Sequence, residues 1–158
     1  MSGSLSIVHV ESEEQMDTVR QLFEEYAAGI GISLCFQNFD QELATLPGKY
    51  ALPTGRLMLA FVNEQLAGCI ALRAISDDRC EMRRLFVRPS FRGTGLGRVL
   101  VEAHISEART IGYKSMLLDT LPGRMDSAIE LYKKIGFEDV APYYDNPVEH
   151  AKFMELKL

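Results

Sequence analysis

Apolar and polar residues follow two different periods along the chain. Apolar residues at every second position, or in short continuous runs, predict seven strands, whereas apolar residues three and four positions apart predict four helices. The predicted strands cover residues 5–10, 56–62, 66–75, 81–87, 114–119, 137–140 and 151–158. The predicted helices cover residues 12–29, 39–46, 96–111 and 126–135.

The order of these elements is β-α-α-β-β-β-α-β-α-β-β, so the chain begins as a meander and ends with crossover connections. This order predicts an α/β fold with a central mixed sheet and helices on both faces. Ser12 and Gln15 form the pattern of a capping box at the first helix. Gly29, Gly112 and Gly136 follow the last apolar positions of three helices and are expected to end them.

The composition is that of one ordinary globular domain. The chain has 158 residues, of which 47% are hydrophobic and 25% are charged, and we expect a single domain over residues 1–158. No apolar run approaches the roughly 20 residues of a membrane span. The first residues lack the basic and long apolar regions of a secretion signal, so a cytoplasmic location is the expectation.

Neither the cysteines nor the histidines have the spacing of metal ligands, so no metal is expected. The odd number of cysteines also gives no sign of a disulfide framework, and their apolar neighbours predict small buried residues. The cysteines are Cys35, Cys69 and Cys80, and the histidines are His9, His104 and His150. We expect His104 to be a surface or interface residue of its helix.

The net charge of the chain argues against some classes of binding partner. Seventeen Lys and Arg against 22 Asp and Glu give a net charge of −5, which argues against a nucleic acid or an anionic membrane surface as partner. The basic residues are nevertheless clustered, because five of the 17 lie within 16 residues. They are Arg83, Arg84, Arg88, Arg92 and Arg98.

A glycine-rich turn lies in the same segment, between a predicted strand and a predicted helix. Gly93, Gly95 and Gly97 remove Cβ atoms at alternate positions, where a ligand can approach the backbone. The helix start presents unpaired N–H groups that suit a phosphate, and Arg92 and Arg98 flank it. The sequence therefore predicts a site for an anionic phosphate.

Two common phosphate loops do not match this turn. The dinucleotide fingerprint G-x-G-x-x-G fails because the sixth position is Arg98 when counted from Gly93 and Leu100 when counted from Gly95. The Gly-Lys-Ser/Thr of a P-loop does not occur in the sequence. Residues 92–97 fit R-x-x-G-x-G, which as a lone match would also suit a turn that serves only tight packing.

The match is not isolated. The loop resembles the pyrophosphate loop of the GNAT superfamily of acetyl-coenzyme A-dependent N-acetyltransferases. Residues 85–89 resemble that family's strand before the loop, and residues 128–137 resemble its second signature, A-x-x-L-Y-x-K-x-G-F. The order of the predicted elements agrees with the family's fold, whereas residues 1–50 resemble the family only in that order.

The resemblance implies an enzyme that transfers an acetyl group from acetyl-CoA to a primary amine. The short chain favours a small-molecule acceptor, and we expect direct attack in a ternary complex rather than a cysteine intermediate. Two alternatives stay open: a protein N-terminal or lysine acetyltransferase, and a non-catalytic acyl-CoA-binding module. A homodimer is the expected assembly if the chain self-associates, since dimers are the commonest soluble oligomers.

The resemblance also implies which residues hold the coenzyme. Backbone groups of residues 85–87 would meet the pantetheine arm and the thioester carbonyl, provided that the strand carries the family's bulge. The candidate cofactor-binding residues are Leu85, Phe86, Val87, Arg92, Gly93, Thr94, Gly95, Leu96, Gly97, Arg98 and Tyr132. Many relatives have Asn where this chain has Met125, so Arg124 or Asp126 would compensate, or Asp126 would cap its helix.

Glu81 is the candidate general base. Freeing a lysine-like amine of pKa about 10.4 at pH 7 costs about 4–5 kcal/mol, so the reaction benefits from a base. Some GNAT enzymes place a glutamate base eleven positions before the loop arginine, as Glu81 stands before Arg92. Strand alternation places Glu81 on one face with Arg83, Leu85 and Val87. An exposed carboxylate paired with a neighbouring arginine is the structural alternative.

Tyr132 is the candidate general acid. Helical spacing places it on the inner face of its helix with Ala128 and Ile135. Periodicity alone would favour a core aromatic residue. The resemblance implies instead that its hydroxyl reaches the coenzyme sulfur and protonates the leaving thiolate.

Residues 142–147 form a second candidate region, where the resemblance implies a loop beside the acceptor site. Tyr143, Tyr144 and Asn146 are therefore candidate substrate-binding residues for a small polar or cationic acceptor, with Tyr26 or Gln37 facing them. The same segment would equally suit a rigid turn, because Pro, Asp and Asn are common turn formers.

Overall fold

The computed structural model describes residues 4–31 and 38–158. These residues contain seven strands and four α-helices. The strands are β1 (Leu5–His9), β2 (Arg56–Val62), β3 (Gln65–Ala74), β4 (Arg79–Val87), β5 (Ser115–Thr120), β6 (Glu138–Val140) and β7 (Lys152–Lys157). The helices are α1 (Glu13–Ile30), α2 (Phe39–Ala44), α3 (Leu96–Ile111) and α4 (Asp126–Ile135). Gly48–Tyr50 and Pro89–Phe91 form short 3₁₀ turns.

All seven strands belong to one sheet, in the order β1-β2-β3-β4-β5-β7-β6. The first four strands form an antiparallel meander. β5 then lies parallel to β4, and β7 and β6 continue the sheet in antiparallel pairs. The predicted mixed sheet of an α/β fold is confirmed.

Each face of the sheet carries its own apolar core. On one face Leu100 of α3 packs with Met82 of β4, and on the other Leu22 and Phe23 of α1 pack with Phe86 of the same strand. Complete burial of a Leu or Phe side chain contributes about 1.5–3 kcal/mol. The two cores therefore hold β4 between helices on both sides.

The ends of α1 show where the sequence signals were right and where they were not. The predicted capping box is confirmed: Ser12 Oγ accepts from the backbone N–H of Gln15 at 3.1 Å, and Gln15 Oε1 accepts from the backbone N–H of Ser12 at 3.0 Å. Gly29, however, lies within the helix. The helix ends at Gly31, whose left-handed φ of 70° suits a residue without a Cβ.

A one-residue bulge interrupts β4 where it pairs with β3. The pairing jumps from Ala71 opposite Arg83 to Cys69 opposite Phe86, so β4 uses one residue more than β3. Within this bulge Arg84 has a φ of 58°, a left-handed conformation that is uncommon outside glycine. The structure thus contains the strand irregularity on which the expected role of residues 85–87 depends.

The bulge also makes the predicted alternation of β4 wrong. Leu85 and Val87 were expected on the face of Glu81, opposite to Met82, but all three apolar side chains pack into the α3-side core. Arg83 stays with Glu81, at 3.5 Å between Nε and Oε1. One extra residue in the strand reverses the facing of every side chain after it.

His104 lies in the core rather than on the surface that we expected. It is fully buried beside Leu100, Val101 and Ala108, and neither ring nitrogen has a hydrogen-bond partner. Burial lowers the pKa of His104 to about 3, and the nearby His9 and Arg56 charges add to this effect. The imidazole is therefore neutral in the folded protein. Its spacing from the apolar residues of α3 is the signal that could have placed it inward.

We predict that His104 makes the protein less stable as the pH falls below about 6.5, the ordinary histidine pKa. The unfolded chain binds a proton there, whereas the folded chain does not until about pH 3. Between pH 7.5 and pH 5 this linkage removes about 2 kcal/mol of unfolding free energy. Urea unfolding of His104→Leu at both pH values should lack that loss.

The matched control is His150→Asn, because the His150 side chain is exposed. It should keep the pH dependence of the unmodified protein. An identical dependence in His104→Leu would contradict the prediction.

Candidate active site

A cavity opens where β4 and β5 separate. The two strands pair only from Arg79–Ser115 to Glu81–Leu117. Beyond that point β4 pairs with β3 and β5 pairs with β7, which leaves a cleft between them. The cavity has a volume of about 740 Å³, within the range of small-molecule sites. It extends from the amino end of α3 to the bulge, α4 and α1.

The glycine-rich loop forms one end of this cavity. Gly93 and Gly95 have φ values of 78° and 86°, which only glycine adopts readily, and Gly95 is the residue immediately before α3. A Cβ built on either residue would have no protein atom within 4 Å, so the space above the loop is open to a ligand. The loop therefore fits a bound phosphate at the helix start.

The side chains around the loop differ in their availability. Arg92 lies on the cavity and donates from Nε to the Val87 carbonyl at 2.9 Å. Arg98 also lies on the cavity, and its Nε pairs with Glu102 at 2.5 Å. Thr94 is not among the lining residues, because its hydroxyl donates to the carbonyl of the preceding 3₁₀ turn. The lining residues of this end are Leu85, Phe86, Val87, Arg92, Gly93, Gly95, Leu96, Gly97 and Arg98.

Tyr132 of α4 lines the cavity near the bulge. Its ring is buried and packs against Phe137, with 5.6 Å between centroids. Burial raises the pKa of Tyr132, and the charges of Tyr26 and Asp119 raise it further. The phenol consequently keeps its proton at neutral pH and is available as a hydrogen-bond donor.

Glu81 is held away from the cavity. It is 2% exposed and is not among the lining residues. Oε1 pairs with Arg73 Nε at 2.6 Å and Arg83 Nε at 3.5 Å, and Oε2 accepts from the Tyr143 hydroxyl at 2.5 Å. The carboxylate is thus buried and paired, not exposed, and its role as a base stays a prediction.

Asp119 is the carboxylate that does line the cavity, and the sequence reading missed it. Its Oδ2 accepts hydrogen bonds from the Tyr144 hydroxyl and from Asn146 Nδ2. Burial raises the pKa of Asp119, although the Tyr144 hydrogen bond opposes the shift. A lone acidic residue near the carboxyl end of an apolar strand was the available signal, since α/β sheets bind ligands there.

The turn of residues 142–147 donates hydrogen bonds to the carboxylates of Glu81 and Asp119. Tyr143 reaches Glu81, whereas Tyr144 and Asn146 reach Asp119. The two tyrosine rings pack edge to face on Phe153 at 5.2 and 5.4 Å. None of the three candidate substrate residues lines the cavity, so their direct contact with substrate stays a prediction. Gln37 lies outside the described residues.

Arg84 and Glu42 form an ion pair that sequence reasoning also missed. Arg84 donates to Glu42 from Nε at 3.0 Å and from Nη2 at 2.8 Å, and it lies over the rings of Tyr26 and Phe39. Burial acts to raise the pKa of Glu42, but the hydrogen bond and charge of Arg84 outweigh it and the pKa is lowered. The pair ties α2 to the bulge across 42 positions of sequence.

The loop before α4 closes the remaining side. Arg124 donates from Nη1 to the Ile30 carbonyl at 2.5 Å and so joins this loop to the end of α1. Asp126 accepts from the Gly123 amide at 2.7 Å and does not cap α4. Both line the cavity together with Met125, the position at which the chain departs from the family pattern.

The described cysteines are unsuited to covalent catalysis. Cys69 and Cys80 are fully buried, and burial raises the pKa of both thiols, that of Cys80 to about 12. Thiolates, the nucleophilic form, are therefore disfavoured at both positions. Cys35 lies outside the described residues.

Residues 4–31 and 38–158 have neither a cluster of three or more metal-ligating side chains nor a membrane-spanning helix. These ranges contain no group of three or more His, Cys, Asp or Glu side chains that could hold a metal ion. They also contain no helix long and apolar enough to cross a membrane.

Comparison with known proteins assigns this site to a class. The Acetyltransferase (GNAT) family matches residues 16–137. An uncharacterised N-acetyltransferase of Schizosaccharomyces pombe is 39% identical, over 99% of this chain and 96% of its own length. One from Dictyostelium discoideum is 34% identical, over 94% and 97%. The chain therefore belongs to the GNAT acetyltransferase family.

Solved structures agree on the fold. An acetyltransferase from Salmonella typhimurium, determined with its cofactor acetyl-CoA, has a TM-score of 0.71 and 19% sequence identity, covering 97% of this chain and 93% of that one. Such low identity supports the fold alone. Together with the family match, the N-acetyltransferase relatives identify the chain as an acyltransferase that uses acetyl-CoA.

We predict that Gly95→Ala weakens CoA binding by about tenfold. A Cβ there enters the open space at the α3 amino end, and φ of 86° strains any other residue by about 1 kcal/mol. Titration calorimetry with CoA measures the affinity.

Gly112→Ala is the matched control, because Gly112 ends the same helix at φ 110° and also has open space around its Cβ position. It should lose similar stability and keep its CoA affinity. Equal affinities in the two variants would exclude the loop as the binding site.

Proposed function

We propose that this enzyme transfers the acetyl group of acetyl-CoA to a primary amine of a small molecule by direct attack in a ternary complex. One observation carries the proposal: a single cavity joins the glycine-rich loop to Tyr132 and Asp119. A thioester held along this cavity would have its acetyl group near both side chains. An interior of about 740 Å³ also suits a small acceptor.

The loop and its arginines would anchor the coenzyme. The amino end of α3 offers unpaired N–H groups to the pyrophosphate, with Arg92 and Arg98 beside it. Residues 85–87 line the next part of the cavity, where bulge amides would hold the arm and polarise the thioester carbonyl. Acetyl-CoA, when bound, supplies an activated acyl group with a thiolate leaving group.

An acceptor that arrives as an ammonium must lose two protons, and one proton must reach the sulfur. The base takes the first proton and frees the lone pair of the nitrogen. The nitrogen then forms a bond to the acetyl carbon, the carbon–sulfur bond breaks, and the nitrogen loses its second proton to solvent as the amide forms. Tyr132, protonated because burial raises its pKa, would donate its proton to the thiolate and regain one from solvent.

Glu81 is the proposed base, and its position requires an intermediary. Its carboxylate is buried and lies off the cavity, so a water molecule would stand between it and the amine, while the Tyr143 hydroxyl that donates to Oε2 holds its orientation. Direct attack without a cysteine intermediate is supported by the buried, protonated thiols of Cys69 and Cys80. The cytoplasmic location and the homodimer stay predictions from the sequence.

The proposed function is tested with acetyl-CoA and a panel of amines, amino acids and peptides, by following thiol release. Turnover of small amines with negligible rates on peptide amines and lysines supports it. Faster acetylation of peptides than of every small amine would favour a protein acceptor instead.

We predict that Tyr132→Phe lowers kcat by about 100-fold and leaves CoA affinity unchanged, because it removes only the proton donor. Tyr113→Phe is the control: Tyr113 is also buried, but its hydroxyl donates to the Thr54 carbonyl away from the cavity. An unchanged kcat in Tyr132→Phe at saturating substrates would refute the acid role.

We predict that Glu81→Gln lowers kcat/KM by about 100-fold and leaves CoA affinity unchanged, as loss of a base should. Glu107→Gln, which removes a carboxylate paired with Arg56 at 2.6 Å outside the cavity, serves as control. If Glu81→Gln keeps the kcat/KM of the unmodified enzyme and changes only stability, Glu81 positions Arg83 and Tyr143 and is not the base.

A further inference from the structure

Three arginines and two carboxylates lie together beside the bulge, and the arginines differ in how closely they pair with the carboxylates. Arg73 holds Glu81 at 2.6 Å, and Arg84 holds Glu42 through two hydrogen bonds. Arg83 has only longer ion-pair distances, 3.5 Å to Glu81 and 3.9 Å to Glu42. Its guanidinium donates no hydrogen bond to any group of residues 4–31 and 38–158.

Arg83 is also the arginine of this group that combines loose pairing with a place on the cavity. Arg73 is not among the lining residues, and Arg84 is engaged by Glu42. The Arg83 side chain is 13% exposed, so its charge acts in a region with little water. A planar guanidinium with free N–H groups is suited to bind a carboxylate.

Asp119 supplies the opposite charge on the same cavity. Tyr144 and Asn146 occupy Oδ2. Within the described ranges no group donates to Oδ1, and no arginine or lysine lies within 4.0 Å of the carboxylate. An ammonium group is the natural partner of such an oxygen.

Arg83, Asp119 and Tyr132 line the same cavity, and Arg83 and Asp119 form no ion pair with each other within the described ranges. Arg83 acts to lower the pKa of Asp119, and Asp119 acts to raise the pKa of Tyr132, as charges facing one cavity should. An acceptor that carries both an amine and a carboxylate would satisfy both groups at once.

We infer that the acceptor is an amino acid or a similarly small zwitterion, bound by its ammonium at Asp119 and by its carboxylate at Arg83. This inference rests on the proposed function and names its substrate class. Asp119 binds the amine before attack, and Arg83 selects acceptors that carry the acidic group. A plain amine would leave Arg83 with only its longer ion pairs to Glu81 and Glu42, which is the basis of selection.

The test compares each amino acid with its own carboxamide, which keeps the amine and the side chain. Thiol release at saturating acetyl-CoA gives kcat/KM for both members of a pair. We expect at least one amino acid to exceed its carboxamide by about tenfold or more. The carboxamide amine is easier to deprotonate, so this comparison is biased against the inference.

Variants then test which side chain causes the preference for an amino acid over its carboxamide. Arg83→Gln should reduce the amino-acid advantage to less than about threefold, whereas Asp119→Asn should lower kcat/KM for both members alike. Arg73→Gln removes the charge of the other arginine that pairs with Glu81, and it should keep the kcat/KM ratio of amino acid to carboxamide. Arg83→Lys keeps the charge without the planar fork, should retain part of the ratio, and serves in place of Arg83→Gln if that variant does not fold.

The outcomes separate the inference from the proposed function. Carboxamides turned over as fast as amino acids in every pair, or a ratio unchanged in the Arg83 variants, would overturn the inference and leave small-molecule acetylation standing. Thiol release with plain amines but with no amino acid would also overturn the inference and leave small-molecule acetylation standing. No release from any small amine would overturn both.

Discussion

The backbone of Arg84 is the constraint on which the cavity depends. A residue with a side chain in the left-handed region costs about 1–3 kcal/mol and persists only where its surroundings hold it. Here the two hydrogen bonds to Glu42 and the rings of Tyr26 and Phe39 provide that hold. The bulge so fixed turns Leu85 and Val87 toward α3, next to the glycine-rich loop.

Two groups of arginines divide the cavity into two chemical regions. Arg92 and Arg98 flank the amino end of α3, where helix amides add to their charge. At the other end Arg84 is neutralised by Glu42, while Arg83 is held loosely. The exposed arginines and the helix amides of the first region suit phosphate, and the largely buried, loosely paired Arg83 of the second region suits a small charged group. An acidic chain can thus carry a cavity for an anionic coenzyme.

Sequence reasoning recovered the parts of the site that are local along the chain. The loop of residues 92–98 and Tyr132 were singled out because each lies in a short pattern that resembles a signature of the GNAT family. Asp119 and the Arg84–Glu42 pair were missed, because each becomes significant only through partners 25–42 positions away. Glu81 was identified by its spacing, but its surroundings could not be read from a pattern of single residues.

By itself the sequence determined the α/β class, the helix caps at Ser12 and Gly112, and the place of the glycine-rich loop before α3. These follow from hydrophobic period and local backbone chemistry, which act over a few residues. Only the tertiary structure decided which face each β4 side chain takes, which carboxylate reaches the cavity, and that His104 is buried. Register, burial and ion pairing are set by contacts between distant segments, so they exist only once the sheet has formed.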